Sequence, residues 1–175
     1  MNNKVLSTSR IYDGRIINLR LDEVELPDGR HARREVVEHP GASVIVPVDQ
    51  QGRVYLVRQY RDAAAEELLE LPAGKLEPGE EPLACARREC LEELGLEAGS
   101  WTHLASFYSS PGFCDELLHC FLARELRQGV SDADRDEFLT PESWPLANLA
   151  ELLGQLKDAK SIAGLLLARQ ALAEE

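Results

Sequence analysis

The sequence has no excess of positive charge: 19 Lys and Arg stand against 31 Asp and Glu, for a formal net charge of −12 over 175 residues. A chain this acidic lacks the basic footprint that displaces counterions from nucleic acid, which excludes a general nucleic-acid binder. It does not exclude an anionic small molecule, whose charge a metal ion or a local group of arginines offsets. Cysteines are few. Cys85, Cys90, Cys114 and Cys120 form no C-x-x-C pair, which argues against a zinc site and for buried free thiols in a reducing compartment. No apolar run reaches the ~20 residues of a membrane helix, and the opening "MNNKVLSTSRIYDGR" lacks the apolar core of a signal peptide. Repeats and low-complexity tracts are missing too. These absences leave a soluble cytoplasmic protein with no membrane partner. With 44% hydrophobic residues, the chain can bury the core of one domain with a small appendage.

What is present reads as alternating strands and helices. "GRIINLRLDEVELPDGRHARREVVEH" alternates apolar and polar residues on both sides of Pro27-Asp28-Gly29 and predicts a β-hairpin. "ASVIVPVD" predicts a buried strand, and "RVYLVRQYR" a second one after a turn at "QG". "LELPAGKLEPGEEP" has the Pro and Gly content of a loop. A helix is expected from Glu81 to Leu94, with Pro82 in its first turn, Gly95 at its end and Leu83, Ala86, Cys90 and Leu94 as its buried stripe. "THLASFYSS" and "LLHCFLAREL" predict further strands, "RQGVSDADRDEF" an acidic loop, and the tail two helices parted near Lys157–Lys160. Strands and helices in this order indicate a mixed α/β sandwich.

The expected helix carries Glu89, Glu92 and Glu93 close together. At ~100° per residue, Glu92 lies about 60° to one side of Glu89 and Glu93 about 40° to the other. Like charges at this spacing weaken a helix. Either the face is merely solvated, with Arg87 and Arg88 relieving the repulsion, or it meets a cation. The flanking residues decide between these. Gly74, Glu80, Arg88, Glu89, Glu92, Glu93, Gly95 and Leu96 spell G-x5-E-x7-R-E-x-x-E-E-x-G-L. This resembles the signature box of the Nudix hydrolase family, with Cys90 standing where that family usually has an aliphatic residue. The resemblance implies a Nudix-fold α/β/α sandwich with a mixed sheet and an N-terminal antiparallel β-hairpin extension, and hydrolysis of a nucleoside diphosphate linked to a further group. Carboxylates one turn apart suit hard Mg²⁺, with Mn²⁺ an alternative, and such ions neutralise charge on two phosphates. In the resemblance Glu89, Glu92, Glu93 and the Ala73 carbonyl form the metal site. Arg88 orients a carboxylate, Gly74 permits close approach, and Glu77 or Glu80 supports the cluster.

Features outside the box resemble the ADP-ribose pyrophosphatase subgroup. They are "GRIINLR", "VRQYR", "ELPAGKLEPGE", "SSPGFCDELLH" and "DAKSIAGLLLA". The resemblance implies a homodimer formed through an N-terminal extension, residues 1–40, that helps build the adenosine pocket, ahead of a hydrolase domain over residues 41–175. It implies that Arg61 binds the diphosphate or ribose, Glu35 the adenine, Ile16 an apolar wall of the pocket, and that Arg33 adds a contact. Pro111 and Gly112 would line the substrate site, and Glu116 would reach the metal. Glu137, with Asp136 as the neighbouring alternative, would position or deprotonate the attacking water, unless a box glutamate does so. The expected reaction is hydrolysis of ADP-ribose to AMP and ribose 5-phosphate. Other nucleoside diphosphate sugars, dinucleotides, or nucleotide sensing without cleavage remain the competing readings.

Overall fold

The computed structural model describes residues 2–130 and 139–174. They divide into two units, one of residues 1–41 with 108–117, the other of residues 42–107 with 118–175.

The first unit is a three-stranded antiparallel sheet, β1 (Lys4–Asp13), β2 (Asn18–Glu25) and β3 (His31–Glu38), in that order. The expected hairpin is β2–β3. Its turn is closed by the Gly29 amide donating to the Leu26 carbonyl at 2.9 Å and the Leu26 amide to the Arg30 carbonyl at 2.7 Å. β1, which the sequence pattern did not predict, pairs along β2 and is exposed at every position. The segment of residues 108–117 is tied to β3 by the Val37 amide donating to the Phe113 carbonyl and the Asp115 amide to the Val37 carbonyl.

The second unit is built on β4 (Ala42–Pro47), buried at every position because its apolar run has helices on both faces. It pairs antiparallel with β7 (Ala73–Lys75) and parallel with β9 (Leu117–Gln128), whose other neighbour is β8 (Leu96–Tyr108). The sheet is therefore mixed. Ile45 faces one helix, α1 (Pro82–Leu94), packing with Ala86, Cys90 and Phe121. Val44 and Val46 face the opposite side, with Leu71, Leu152 and Leu165. Leu165 belongs to α3 (Ala159–Ala173), which follows the short α2 (Leu149–Leu153). A second sheet, β10 (Thr140–Pro145), β5 (Arg53–Arg61) and β6 (Glu66–Glu70), contributes Val54, Leu56 and Leu69 to the same core. This is the expected sandwich. The stretch read as a loop from its prolines and glycines instead holds two strands, β6 ending at Glu70 and the three-residue β7. All four cysteines are free, and Cys85, Cys90 and Cys120 are buried.

Candidate active site

α1 begins at Pro82, whose missing N–H is one of those a helix start leaves unbonded anyway. Its first turn is anchored by the Ser43 hydroxyl donating to the Pro82 carbonyl at 2.7 Å. It ends on Gly95 at φ 65°, a left-handed conformation that glycine adopts without a Cβ penalty. Between these ends the helix divides its three glutamates. Glu89 and Glu93 are 9% exposed, whereas the Glu92 side chain is 40% exposed. The difference follows from position: Ala86, Cys90 and Glu93 lie on one helical stripe toward the sheet. Glu89 points at β7, where a Cβ on Gly74 would come within 1.8 Å of its carboxylate. Only glycine leaves that room.

Arg88 organises the cluster. Its Nε and Nη2 donate to the two Glu80 oxygens at 3.0 and 2.9 Å, a bidentate pair. Its Nη1 donates to Glu89 Oε1 at 2.5 Å and to Glu92 Oε2 at 3.1 Å. Nη2 also reaches the Lys75 carbonyl at 3.3 Å. Glu80 further accepts the Glu77 amide at 3.0 Å, so of the two sequence candidates Glu80 is the one that grips Arg88. The guanidinium holds the Glu80 carboxyl at about 2, well below its ordinary value, and Arg88 is itself raised by Glu80 first and by Glu89 and Glu92 as well. Glu93 Oε2 accepts the Ala73 amide at 3.2 Å. Among the described residues no three His, Cys, Asp or Glu side chains already stand in the arrangement of a metal site. Arg88 Nη1 is the positive group between Glu89 and Glu92. The donor set is nonetheless that of a hard divalent cation: charged oxygens, two of them nearly buried, beside a glycine cradle that keeps the Glu89 carboxylate in place.

A second charged cluster lies on β5, β6 and α3. Arg61 Nε and Nη2 each donate at 2.8 Å to Glu70, which is 1% exposed. Lys160 also donates to Glu70. Burial alone would raise the Glu70 carboxyl, but Arg61 and Lys160 outweigh it and bring the group down to about 2. The Arg61 guanidinium also lies within electrostatic reach of Glu93. Two of its five N–H donors are used on Glu70, and the side chain is 41% exposed, which leaves the others available to an anion. Glu70, Asp158, Lys160 and Ser161 were not singled out from sequence. Asp158 was within reach as a cap residue just ahead of a helical pattern, whereas nothing local marks Glu70.

The pH dependence of this cluster has a definite sign. The Glu70 carboxyl sits at about 2 in the fold against 4.5 ordinarily. Its contribution is therefore complete above pH 4.5 and lost as pH falls toward 2. Glu70→Gln is expected to destabilise the protein at pH 7 by on the order of 3 kcal/mol, because it takes the buried carboxylate from the largely buried Lys160 and the half-exposed Arg61. It is also expected to flatten the decline of melting temperature below pH 4.5. Thermal melts from pH 7 to 3 check this, and an unchanged acid slope would count against it.

The other expected residues belong to the first unit. Ile16 lies in a bend between β1 and β2, 59% exposed. Arg33 faces Glu23 across β2–β3, with an ion pair at 3.5 Å, and Glu35 is exposed opposite Leu21. Pro111 and Gly112 are exposed in a turn closed by the Phe113 and Cys114 amides on the Ser110 carbonyl. Glu116 Oε1 is 3.5 Å from His39 Nδ1. Asp136 and Glu137 lie outside the described residues. No helix among the described residues is long and apolar enough to cross a membrane.

Comparison with known proteins agrees with this geometry. Residues 4–37 match the nucleoside diphosphate sugar hydrolase N-terminal domain. An ADP-ribose pyrophosphatase of Bacillus subtilis (strain 168) is 39% identical over 165 residues, 92% of this chain and 89% of that protein. The methanol dehydrogenase activator of Bacillus methanolicus is 41% identical over 138 residues, 78% of this chain and 75% of that one. A crystal structure of an ADP compounds hydrolase superposes with a TM-score of 0.89 at 24% identity, covering 99% of this chain and 96% of that one, and so shares the fold. Residues 37–166 match the NUDIX domain, and with the complete carboxylate box on α1 the chain belongs to the Nudix hydrolase family.

Proposed function

We propose that the protein hydrolyses ADP-ribose to AMP and ribose 5-phosphate with Mg²⁺, Mn²⁺ serving in its place. The observation that carries this reading is the pairing of a carboxylate face with a half-exposed guanidinium. Glu89 and Glu93 are nearly buried beside the Gly74 cradle, and Arg61 stands within electrostatic reach of Glu93. Glu89, Glu92 and Glu93 would hold the metal, with Glu116 and the Ala73 carbonyl as further ligands. Bound there, the ion supplies Lewis-acid neutralisation of charge on the two phosphates. The remaining work falls to the chain itself. Arg88, whose Nη1 donates to Glu89 and Glu92, would keep the face oriented through its bidentate hold on Glu80 when those two carboxylates serve a cation. Arg61 meets the diphosphate with its remaining N–H groups. Glu137, Asp136 or a box glutamate takes the proton of the attacking water.

The choice of ADP-ribose rests on the name of the Bacillus subtilis relative and on the match of the N-terminal segment. On this reading Glu35 and Arg33 meet the adenine end, Ile16 walls the pocket, and Pro111 and Gly112 border it. We assign β1 to a homodimer contact. It is an edge strand of its sheet and exposes Val5, Leu6, Ile11 and Tyr12, an edge that otherwise invites unwanted pairing. A substrate panel tests the function. ADP-ribose, ADP-glucose, GDP-mannose and NAD are compared by kcat/KM with Mg²⁺. ADP-ribose should exceed the others by tenfold or more, and a lower rank for it would sink the choice.

A further inference from the structure

The segment entering β7 is held at three successive residues by three different elements. The Leu71 amide donates to the Ser161 hydroxyl of α3 at 2.7 Å. The Pro72 carbonyl accepts the Ile45 amide of β4 at 2.9 Å. The Ala73 amide donates to Glu93 of α1 at 3.2 Å. Ser161 is fully buried, and its own hydroxyl donates to Asp158, the N-cap of α3. Asp158 Oδ2 also accepts the Ser161 amide at 3.0 Å and Lys160 Nζ at 2.9 Å. Lys160 in turn binds Glu70, the residue just before Leu71, and Glu70 fixes Arg61. One helical turn thus grips two adjacent residues, by side chain at Glu70 and by backbone at Leu71. Each grip leads to a different half of the site.

We propose that Asp158, Lys160 and Ser161 form a positioning clamp in which the start of α3 sets both the Glu93 carboxylate and the Arg61 guanidinium. The inference rests on the reading above, in which Glu93 holds the metal and Arg61 meets the diphosphate. None of the three residues touches substrate. Ser161 acts through the Leu71 and Ala73 amides, and Lys160 acts through Glu70. Without the Ser161 oxygen, the buried Leu71 amide loses its acceptor. Leaving such a group unpaired costs more than moving the segment to find another partner, and the movement carries the Ala73 amide away from Glu93. Without Lys160, Glu70 keeps only Arg61 and draws it inward.

The two halves make the clamp testable as a split. In calorimetric titration of the whole protein with MgCl₂, without substrate, Ser161→Ala is expected to weaken Mg²⁺ binding about tenfold, the low end for groups that orient metal ligands. Lys160→Met is expected to leave Mg²⁺ binding unchanged and to raise KM for ADP-ribose severalfold. Leu165→Val is the control for mere loosening of α3. It removes one buried methylene from the same helix, lowers the melting temperature, and should leave both Mg²⁺ binding and KM at parent values. Parent-like Mg²⁺ binding by Ser161→Ala would overturn the clamp, as would an equal weakening in Leu165→Val. A parent that binds Mg²⁺ yet leaves ADP-ribose intact would remove the substrate reading while the titration still decides the Ser161 half. A parent that binds no Mg²⁺ would overturn both.

Discussion

Glu93→Gln is expected to lower kcat for ADP-ribose by about 100-fold to 1,000-fold, equivalent to about 3–4 kcal/mol of transition-state stabilisation. The melting temperature should change by no more than a few degrees. The two parts of the expectation have separate causes. Glutamine has the shape of glutamate, and its amide oxygen can still accept the Ala73 amide that the structure places on Glu93 Oε2. The fold therefore loses little. It also sheds one of three crowded negative charges on α1, which favours the helix slightly. What disappears is the charge of a nearly buried oxygen donor, and a hard cation binds a neutral amide far less well than a carboxylate. Steady-state rates together with circular-dichroism melts in the same buffer test the pair. Near-normal turnover would remove Glu93 from the metal site, and a collapsed melting temperature would recast it as a structural residue.

Gly74→Ala should be almost as damaging, through a residue with no functional group. A Cβ at this position would sit 1.8 Å from the Glu89 carboxylate, where real contacts stay above 3.0 Å. The colliding atoms are the far end of a flexible side chain, so Glu89 swings aside while the backbone of β7 stays in place. The expected result is a loss of about 100-fold in kcat/KM with a melting temperature within about 5 °C of the parent. Because both substitutions act through one carboxylate, Gly74→Ala and Glu89→Gln should combine with much less than the product of their separate effects. Independent, multiplying losses would show that Gly74 matters for another reason.

The features legible in sequence are those whose causes are local. α1 was readable because Pro82 and Gly95 mark its ends and Ala86 and Cys90 part of its inner face, whereas Leu83 and Leu94 of the expected stripe are only half-buried and Glu89 and Glu93 turn inward beside them. β4 was readable because burial on both faces leaves an unbroken apolar run. β1 was not, and the reason is physical: its pairing with β2 shifts register between Val5 and Ser7 and again between Arg10 and Tyr12. Each shift moves the alternation to the other face and erases the period of two. The end of β6 and β7 were hidden by the Pro and Gly around them: Pro72 separates the two strands, and Gly74 inside β7 reflects the close approach to Glu89 rather than a turn. The unequal burial of Glu89, Glu92 and Glu93 depends on where β7 lies against the helix, so the sequence spacing that gathered them could not rank them. Arg61 was anticipated as a substrate contact, but its buried partner Glu70 was not, because the lysine that completes the pairing is 90 positions away.

That separation governs how the molecule comes into being. β4 emerges early from the ribosome, yet its parallel partner β9 lies some seventy residues later in the chain and the clamp on Leu71 later still. Contacts so far apart must wait for translation, which adds only about 5–20 residues each second, and they make folding slow. Through the seconds before α3 docks, the nascent chain would carry the carboxylates of α1 without the arrangement that puts them to use. Nucleotide-sugar hydrolysis should therefore switch on only once α3 has been made, and a chain stopped before it should be a poor consumer of the cell's nucleotide pool.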